Sequence, residues 1–501
     1  MTETTAPGAL QAFYDHVTNV SDFIWGGTWN GEGVLPFPPM VVILLGAGLY
    51  FMIGLKFYPL LKLGSAFAGL FKKEKSDGDS GEISPFAALS TALSGQVGTG
   101  NLAGVATALT LGGPGALFWM WITALLGMAL AFAEGSLAVR FRDHDPERGY
   151  SGGPMTYIRR GLGNNWTWLA VLFCIGTLFS SVATGNMIQS NSIADSIGAL
   201  TGLEEWISGL IVAAAVFLVI IGGIKSIGRI AEYIVPIMAL AYILLAVVAL
   251  IINARDLPAT FGLIFDSAFT GMSAVGGFAG AGVMMAIRAG VARGLFSNEA
   301  GQGSTPMAHA VAQTKDPARQ GRFAMMGTFI DTIVICTMTG LVLLTVRGAF
   351  PAGSGVVEHV WNSDLRGFDM TLAAYGAAFP QLLFGQTTFG GLVASIALIL
   401  FVFTTLLTWS YYGERAAVFL FGPKVAIPWR LLWCVMIFVG AFQQIEFVWR
   451  MGDIANATMA LPNLVAILAL SGVVFAIAKG QSTQGADKIE SPDLQTIDEK
   501  E

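Results

Sequence analysis

Between Ile83 and Leu111 the chain carries no charge, is largely apolar and is long enough to cross a bilayer, yet its centre suits a helix badly. Ser94–Val105 reads SGQVGTGNLAGV, with four glycines (Gly95, Gly98, Gly100, Gly104) and the polar side chains of Gln96, Thr99 and Asn101. Each glycine costs about 1 kcal/mol in a helix interior relative to alanine. Backbone at membrane depth can leave the helix only where protein or a water-filled cavity satisfies its N–H and C=O groups. The stretch predicts a broken transmembrane helix whose half-helix ends form a binding site near the midplane. The alternative is a small-residue face for tight helix packing, and one such segment does not decide between the two.

A second stretch shifts the balance. Gly276–Val283 reads GGFAGAGV and Gly98–Val105 reads GTGNLAGV, which share Gly98/Gly276, Ala103/Ala281, Gly104/Gly282 and Val105/Val283. Four identities in low-complexity sequence are weak as homology. Two glycine-interrupted apolar segments at corresponding places in two halves are, however, the sequence pointer to a transporter site between inverted repeats.

The class follows from composition. The chain is 54% hydrophobic and 12% charged, about half the charge of a typical soluble domain. Its apolar runs are continuous rather than alternating, so it reads as an all-α polytopic membrane protein and not a barrel. Residues 1–38 are acidic, lack Lys and Arg, and are not a secretory signal; a short amphipathic helix over Leu10–Ile24 is expected there. Residues 39–61 form an extra first helix, and 72–81 a charged linker. Ten more spans follow near 83–111, 115–140, 166–194, 206–223, 229–253, 264–292, 322–346, 388–412, 428–446 and 456–478. That makes eleven, with inverted repeats over 83–253 and 264–478, each opening on a broken helix, and a charged tail over 481–501. Phe296–Arg319 reads as an inner loop with short helices and Ala349–Gln381 as a long outer loop. With the N-terminus outside, this topology places 23 of the 27 Lys and Arg residues inside, as the positive-inside rule requires.

Several motifs are long and specific. GGPGALFWMWITALLG (Gly112–Gly127), SGQVGTGNLAGVA just before it, ARGLFSNEAGQGSTP (Ala292–Pro306) and TTLLTWSYYGE (Thr404–Glu414) closely resemble the alanine or glycine:cation symporter family of prokaryotes. The resemblance covers roughly residues 35–480. It implies a LeuT-type fold with an extra N-terminal helix, import of alanine or glycine driven by sodium, residence in the cytoplasmic membrane and function as a monomer. It implies no organic cofactor.

A small zwitterion needs two opposite caps. Half-helix N-termini present N–H groups and partial positive charge to a carboxylate, which points to Gly98, Thr99, Gly100 and Asn101. Half-helix C-termini offer carbonyls to an ammonium or to Na⁺: Gly95, Gln96 and Val97 in one break, Gly276, Gly277 and Phe278 in the other. No ionised side chain is expected in either break. Phe278 and Met285 are candidates for an apolar wall. Trp409 either caps the pocket or belongs to an interfacial aromatic belt with Tyr411 and Tyr412. Adjacent hydroxyls at Thr404 and Thr405 lie within an apolar span; the family implies that they complete a sodium site with carbonyls near Gly95–Gly98, whereas a mid-span Thr usually back-bonds to its own helix.

Intramembrane acids are functional hypotheses by default. Asp331 is a candidate cation or proton carrier, or else hydrogen-bonds a neighbouring helix or pairs with Arg288. Glu134 is expected to pair with Arg140 or another base at a gate. Arg288 and Arg293 are expected at the inner mouth, with Asn298 and Glu299 as a loop–helix cap nearby. Cys174, Cys336 and Cys434 have no metal spacing, the four histidines are scattered, and no P-loop, HExxH or nucleophile elbow is present. Nothing suggests a nucleic-acid-binding face or an enzyme. A proton-coupled carrier of the same fold, and a channel or non-transporting sensor, remain the competing readings.

Overall fold

The computed structural model describes residues 8–35, 37–70, 81–145, 149–270, 279–353, 355–384, 387–443, 446–483 and 485–488. The fold is a helical membrane bundle. An amphipathic helix, α1 (Gly8–Gly26), lies across one face. α2 (Pro39–Gly54) enters the bundle, and the short α3 (Tyr58–Leu61) and α4 (Leu63–Leu70) follow at the opposite face. α5 (Pro85–Gln96) starts on Pro85, with Ser84 Oγ accepting from the Ala87 N–H at 2.9 Å; proline at this position loses no helical hydrogen bond. A π turn, Gly100–Gly104, leads into α6 (Val105–Gly112), and α7 (Gly115–Arg140) runs back through the centre.

Next come α8 (Pro154–Tyr157), α9 (Thr167–Val182), α10 (Ile188–Thr201), α11 (Glu205–Ile220), α12 (Gly223–Ile252), α13 (Leu257–Thr270) and α14 (Ala279–Asn298). The chain continues with α15 (Pro306–His309), α16 (Pro317–Thr328), α17 (Thr337–Thr345), α18 (Gly367–Ala378), α19 (Phe389–Phe421), α20 (Ala426–Ala441), α21 (Glu446–Ala469) and α22 (Ser471–Ala478). Among the described residues, strands occur only as four two-stranded antiparallel hairpins. Seven helical stretches are long and apolar enough to cross a membrane, and Pro39–Gly54 and Glu205–Ile220 are shorter apolar helices. Large apolar side chains such as Leu218, Ile237, Leu240 and Ile251 point outward, which only a lipid environment tolerates at this density.

Small residues let the central helices meet. A Cβ on Gly135 of α7 would stand 2.6 Å from the Cβ of Ala324 on α16, and one on Gly321 would stand 2.2 Å from Ser136 Oγ. Without a hydrophobic drive between helices in lipid, such close backbone approach supplies the packing energy.

One expectation needs correction. Phe296–Arg319 is not an open inner loop: residues 297–312 are all buried. Their glycines and small polar residues read as loop, but side chains of neighbouring helices satisfy their backbone instead of water. The expected second break at Gly276, Gly277 and Phe278 lies outside the described residues. The long loop after α17 carries α18 and a hairpin, Arg347–Ala352 with Gly355–His359. α18 is held close to α19, and a Cβ on Gly390 would lie 1.9 Å from the Tyr375 carbonyl oxygen. Gly390→Ala is therefore expected to destabilise the protein by about 1–3 kcal/mol through overpacking. Thermal unfolding in detergent measures it, and an unchanged midpoint would mean that the two helices are not so closely joined.

Candidate functional site

The first break opens after α5, where Val97 turns to an extended conformation (ψ 97°). Its polar groups are held by side chains from other elements. The Gly98 N–H donates to Asn101 Oδ1 at 2.9 Å, and the Thr99 N–H to Gln189 Oε1 at 3.3 Å. Gln189 is positioned in turn by its own donation to the Thr184 carbonyl at 3.0 Å. Thr184 lies within another π turn, Ala183–Met187, and Gln189 just after it; such a helix irregularity is common at functional sites.

On the other side of the break the carbonyls face α19. Thr405 Oγ1 lies 3.0 Å from the Ser94 carbonyl, 3.1 Å from that of Val97 and 2.9 Å from that of Phe401. Thr404 Oγ1 shares the Phe401 carbonyl at 3.0 Å and also meets Met238 Sδ at 3.7 Å. One turn on, Thr408 Oγ1 donates to the Thr91 carbonyl at 3.1 Å and contacts Ser94 Oγ. A Cβ on Gly98 would stand 2.7 Å from Thr405 Oγ1, so glycine is needed for this approach.

A second break follows α14. Glu299, Gly301 and Gly303 take positive φ of 56°, 84° and 88°, and the chain regains a helix only at Pro306. For glutamate this left-handed geometry is strained. The segment is fixed by buried partners: the Gly301 N–H donates to Glu134 Oε2 at 3.2 Å, while Asn463 Nδ2 donates to the Gly301 carbonyl at 2.9 Å and to Glu134 Oε1 at 2.6 Å. Tyr157 hydroxyl donates to Asn463 Oδ1. Glu299 accepts from Trp409 Nε1 at 2.9 Å and from Ser304 Oγ at 2.5 Å. Gln96 Nε2 joins the two breaks by donating to the Asn298 carbonyl at 2.5 Å.

Between the breaks lies a small closed cavity, about 10 Å³, the room needed by a single water. Gly95, Gln96, Gly98, Gly100, Gln189, Glu299 and Trp409 line it, with Thr184, Phe296, Gln302 and Asn456 completing its wall. Phe296 also packs on Trp449 with ring centroids 5.1 Å apart, and Arg293 lies over both rings at 6.0 and 5.0 Å. Beyond this aromatic pair a vestibule of about 220 Å³ opens beside α1, bordered by Asp22, Trp25, Met285, Arg288, Arg293 and Arg450. Buried Asp331, in a further π turn (Phe329–Cys336), accepts from Asn101 Nδ2 at 2.6 Å, Ser297 Oγ at 2.8 Å and Thr332 Oγ1 at 2.7 Å.

A sequence model of the sodium:alanine symporter family matches residues 23–495. The chain belongs to that family. It is 41% identical over 93% of its length to the sodium/alanine symporter AgcS of Methanococcus maripaludis, covering 97% of that protein. It is 36% identical over 92% of its length to the putative sodium/proton-dependent alanine carrier protein YrbD of Bacillus subtilis, covering 94% of it. The crystal structure of MhsT in complex with L-phenylalanine superposes with a TM-score of 0.59 at 14% identity, over 81% of this chain and 94% of that one; this likeness concerns the LeuT-type fold alone. Family and relatives are membrane transporters of amino acids with cations, not enzymes.

In this member of the family the residues expected around the first break (Gly95, Gln96, Val97, Gly98, Thr99, Gly100 and Asn101) are gathered at the cavity or its backing. Gly95 differs in role: its neighbour Ser94 supplies the carbonyl that meets Thr405, while a Cβ on Gly95 would press on Thr408 and Tyr412. Trp409 is buried against Gly185 and bonded to Glu299, so it faces the cavity and not a belt. Met285 is 41% exposed in the vestibule and walls no pocket at the centre. Arg288 donates to the Trp25 carbonyl at 3.1 Å, on the same face as α1, which the expected topology puts on the outer side, and Asp331 is held instead by Asn101, Ser297 and Thr332. Glu134 binds Gly301 and Asn463, whereas Arg140 pairs with Asp487 at 2.7 Å. Asn298 and Glu299 sit at the centre of the molecule, and Glu299 is an ionisable group where none was expected.

Sequence reasoning missed Thr184, Gln189, Gln302, Asn456 and Thr408. The polar run Thr184, Asn186, Gln189, Ser190 and Asn191 inside an apolar span was the available signal for the first two. Asn463→Ala is expected to lower stability by about 3 kcal/mol, because Glu134, the Gly301 carbonyl and Tyr157 lose their shared partner inside the bundle. A thermal melt in detergent checks this, and wild-type behaviour would show that the second break does not depend on Asn463.

Proposed function

We propose that this transporter imports a small neutral amino acid, alanine or glycine, together with sodium by alternating access. The observation that carries the reading is the meeting of two interrupted helices around one enclosed cavity, with a cluster of oxygens on its far side. Substrate carboxylate is assigned to the Thr99 and Gly100 N–H groups, with Gln189 Oε1 as the protein atom it displaces. The ammonium is assigned to Glu299, aided by Gln302 and Asn456. The cramped cavity, closed by Phe296 and Trp409, favours a side chain no larger than a methyl group. Sodium is assigned to the carbonyls of Ser94, Val97 and Phe401 with the hydroxyls of Thr404 and Thr405. Unwound carbonyls and half-helix C-termini are the usual ligands of Na⁺ in such carriers.

The architecture proposed with it is eleven spans, an extra N-terminal helix followed by five plus five, acting as a monomer. The inverted broken pair becomes 83–112 and 279–309. The N-terminus is placed outside and the C-terminus in the cytoplasm. Moving Arg288 and Arg293 to the outer side leaves 21 Lys and Arg inside against 6 outside, still the bias that sets orientation.

A second reading rests on Asp331. It is a fully buried carboxylate whose identified partners are all neutral groups, a pattern suited to a second cation or to a proton.

Uptake of labelled alanine into proteoliposomes at fixed pH tests both. Accumulation is expected with an inward sodium gradient and absent without one; accumulation under a proton gradient alone would transfer coupling to the second reading. Thr405→Ala is expected to raise the sodium concentration for half-maximal uptake about tenfold, the equivalent of about 1.4 kcal/mol for one lost ligand. Unaltered sodium activation in that variant would remove the assigned ion site. Asp331→Asn keeps its hydrogen-bonding size but cannot release a proton, so sodium-driven uptake that survives it excludes the proton reading.

A further inference from the structure

Opening the closed cavity toward its vestibule requires two helices to part. Phe296 of α14 and Trp449 of α21 meet between the two spaces, and Arg293 of α14 lies over both rings. The same helices supply part of the cavity wall, Phe296 from α14 and Asn456 from α21. While α14 and α21 stay together, the aromatic pair stays shut.

α1, which lies outside both proposed repeats, fastens these two helices to each other on the vestibule side. Its Trp25 is bonded to both. The indole N–H donates to the Asp453 carbonyl of α21 at 3.0 Å, and the Trp25 carbonyl accepts from Arg288 Nε of α14 at 3.1 Å. Trp25 is buried, so water competes little for either bond. Glycine follows it, and a side chain on Gly26 would strike the Arg288 guanidinium. One turn earlier, Asp22 Oδ1 accepts from Arg450 Nη1 of α21 at 2.8 Å. Nearer the start of α1, Tyr14 meets the Phe447 ring edge-on, with centroids 4.7 Å apart. α1 is thus attached to α21 along its length and reaches α14 through Trp25.

We propose that α1 is a clasp on this gate, with Trp25 as the positioning residue that holds α14 to α21 while the cavity is closed. The proposal rests on the alternating-access reading above. Parting the helices breaks the bond on one side of Trp25 or the other, so the clasp sets how often the cavity opens toward α1 without touching substrate or sodium. A few hydrogen bonds are weak enough to be broken and remade in each cycle, as closing elements over binding sites require.

The test measures access to the cavity from each side of the membrane. Thr184→Cys places a thiol on the cavity wall, in a Cys434→Ser background whose other cysteines, Cys174 and Cys336, are buried. The rate of its modification by a membrane-impermeant methanethiosulfonate reagent is followed in right-side-out and inside-out vesicles, without alanine or sodium. Trp25→Phe keeps a buried ring and removes the indole donor. It is expected to raise the rate about fivefold from the side that bears α1, the outside in the orientation proposed above. Asp22→Asn, at a partly exposed pair that folding does not need, is expected to raise it about twofold alone and to bring the double variant to about tenfold. Access from the opposite side is expected not to rise, because population drawn to one open state is lost to the other. An unchanged rate from the α1 side in both variants overturns the proposal. An equal gain from both sides also overturns it, since that is general loosening and not release of a clasp. The assay needs neither substrate nor ion gradient, so its failure is separable from failure of the uptake assay.

Discussion

Backbone polar groups that leave a helix inside a membrane must be satisfied by protein, and the centre of this molecule is arranged around that requirement. Each unpaired group in hydrocarbon costs several kcal/mol. Both breaks are therefore surrounded by side chains that would be out of place in a membrane for any other reason: Asn101 and Gln189 at the first, Glu134, Asn463 and Ser304 at the second. Gln189 comes from α10, Glu134 from α7 and Asn463 from α21, while Asn101 and Ser304 belong to the interrupted segments themselves. The breaks consequently fix how these helices stand relative to one another, and the wall of the cavity is the same set of atoms that holds the backbone open.

The arrangement also accounts for three buried acids. Glu134, Glu299 and Asp331 are held by amides, hydroxyls, an indole and a backbone N–H, while the nearby arginines serve elsewhere. A carboxylate accepts several hydrogen bonds at once and can tie together elements that a neutral amide could join only in pairs. Glu134 links α7 to the second break and to α21 in this way. Glu299 differs because it lies on the cavity wall, where a cationic group of a ligand can reach it.

Much of this was legible in the sequence. The continuous apolar runs located the long helices, and the glycine-rich centre of Ile83–Leu111 located the first break within a residue or two. The buried break after α14 was read as a loop because SNEAGQGST is polar and rich in glycine, which is how a surface loop reads when its partners are distant in sequence. Asn463, 162 residues away from Gly301, cannot be paired with it by pattern. Arg288 failed for a related reason: basic residues were allotted to the inner side by rule, and only the contact with Trp25 shows that α14 carries it to the α1 face. Side-chain direction was lost too, since adjacent Thr404 and Thr405 are equivalent in sequence, yet only Thr405 reaches the carbonyls of α5.

The shortness of the first break bears on coupling. Ser94 and Val97 turn their carbonyls to Thr405, and only one residue separates Val97 from Thr99, whose N–H meets Gln189. A cation drawn to those carbonyls would fix the peptide planes on one side of the break, and with them the direction of the N–H groups on the other. A carboxylate bound to those N–H groups would fix the same planes from the opposite end. Each ligand thereby lessens the ordering that the other must impose, and such an effect is reciprocal between binding free energies. Gly98 stands between the two sets, and a side chain there would strike Thr405 Oγ1 and press on Gln189 Oε1. The residue that makes the break possible is thus the one that keeps the two halves of the site in contact.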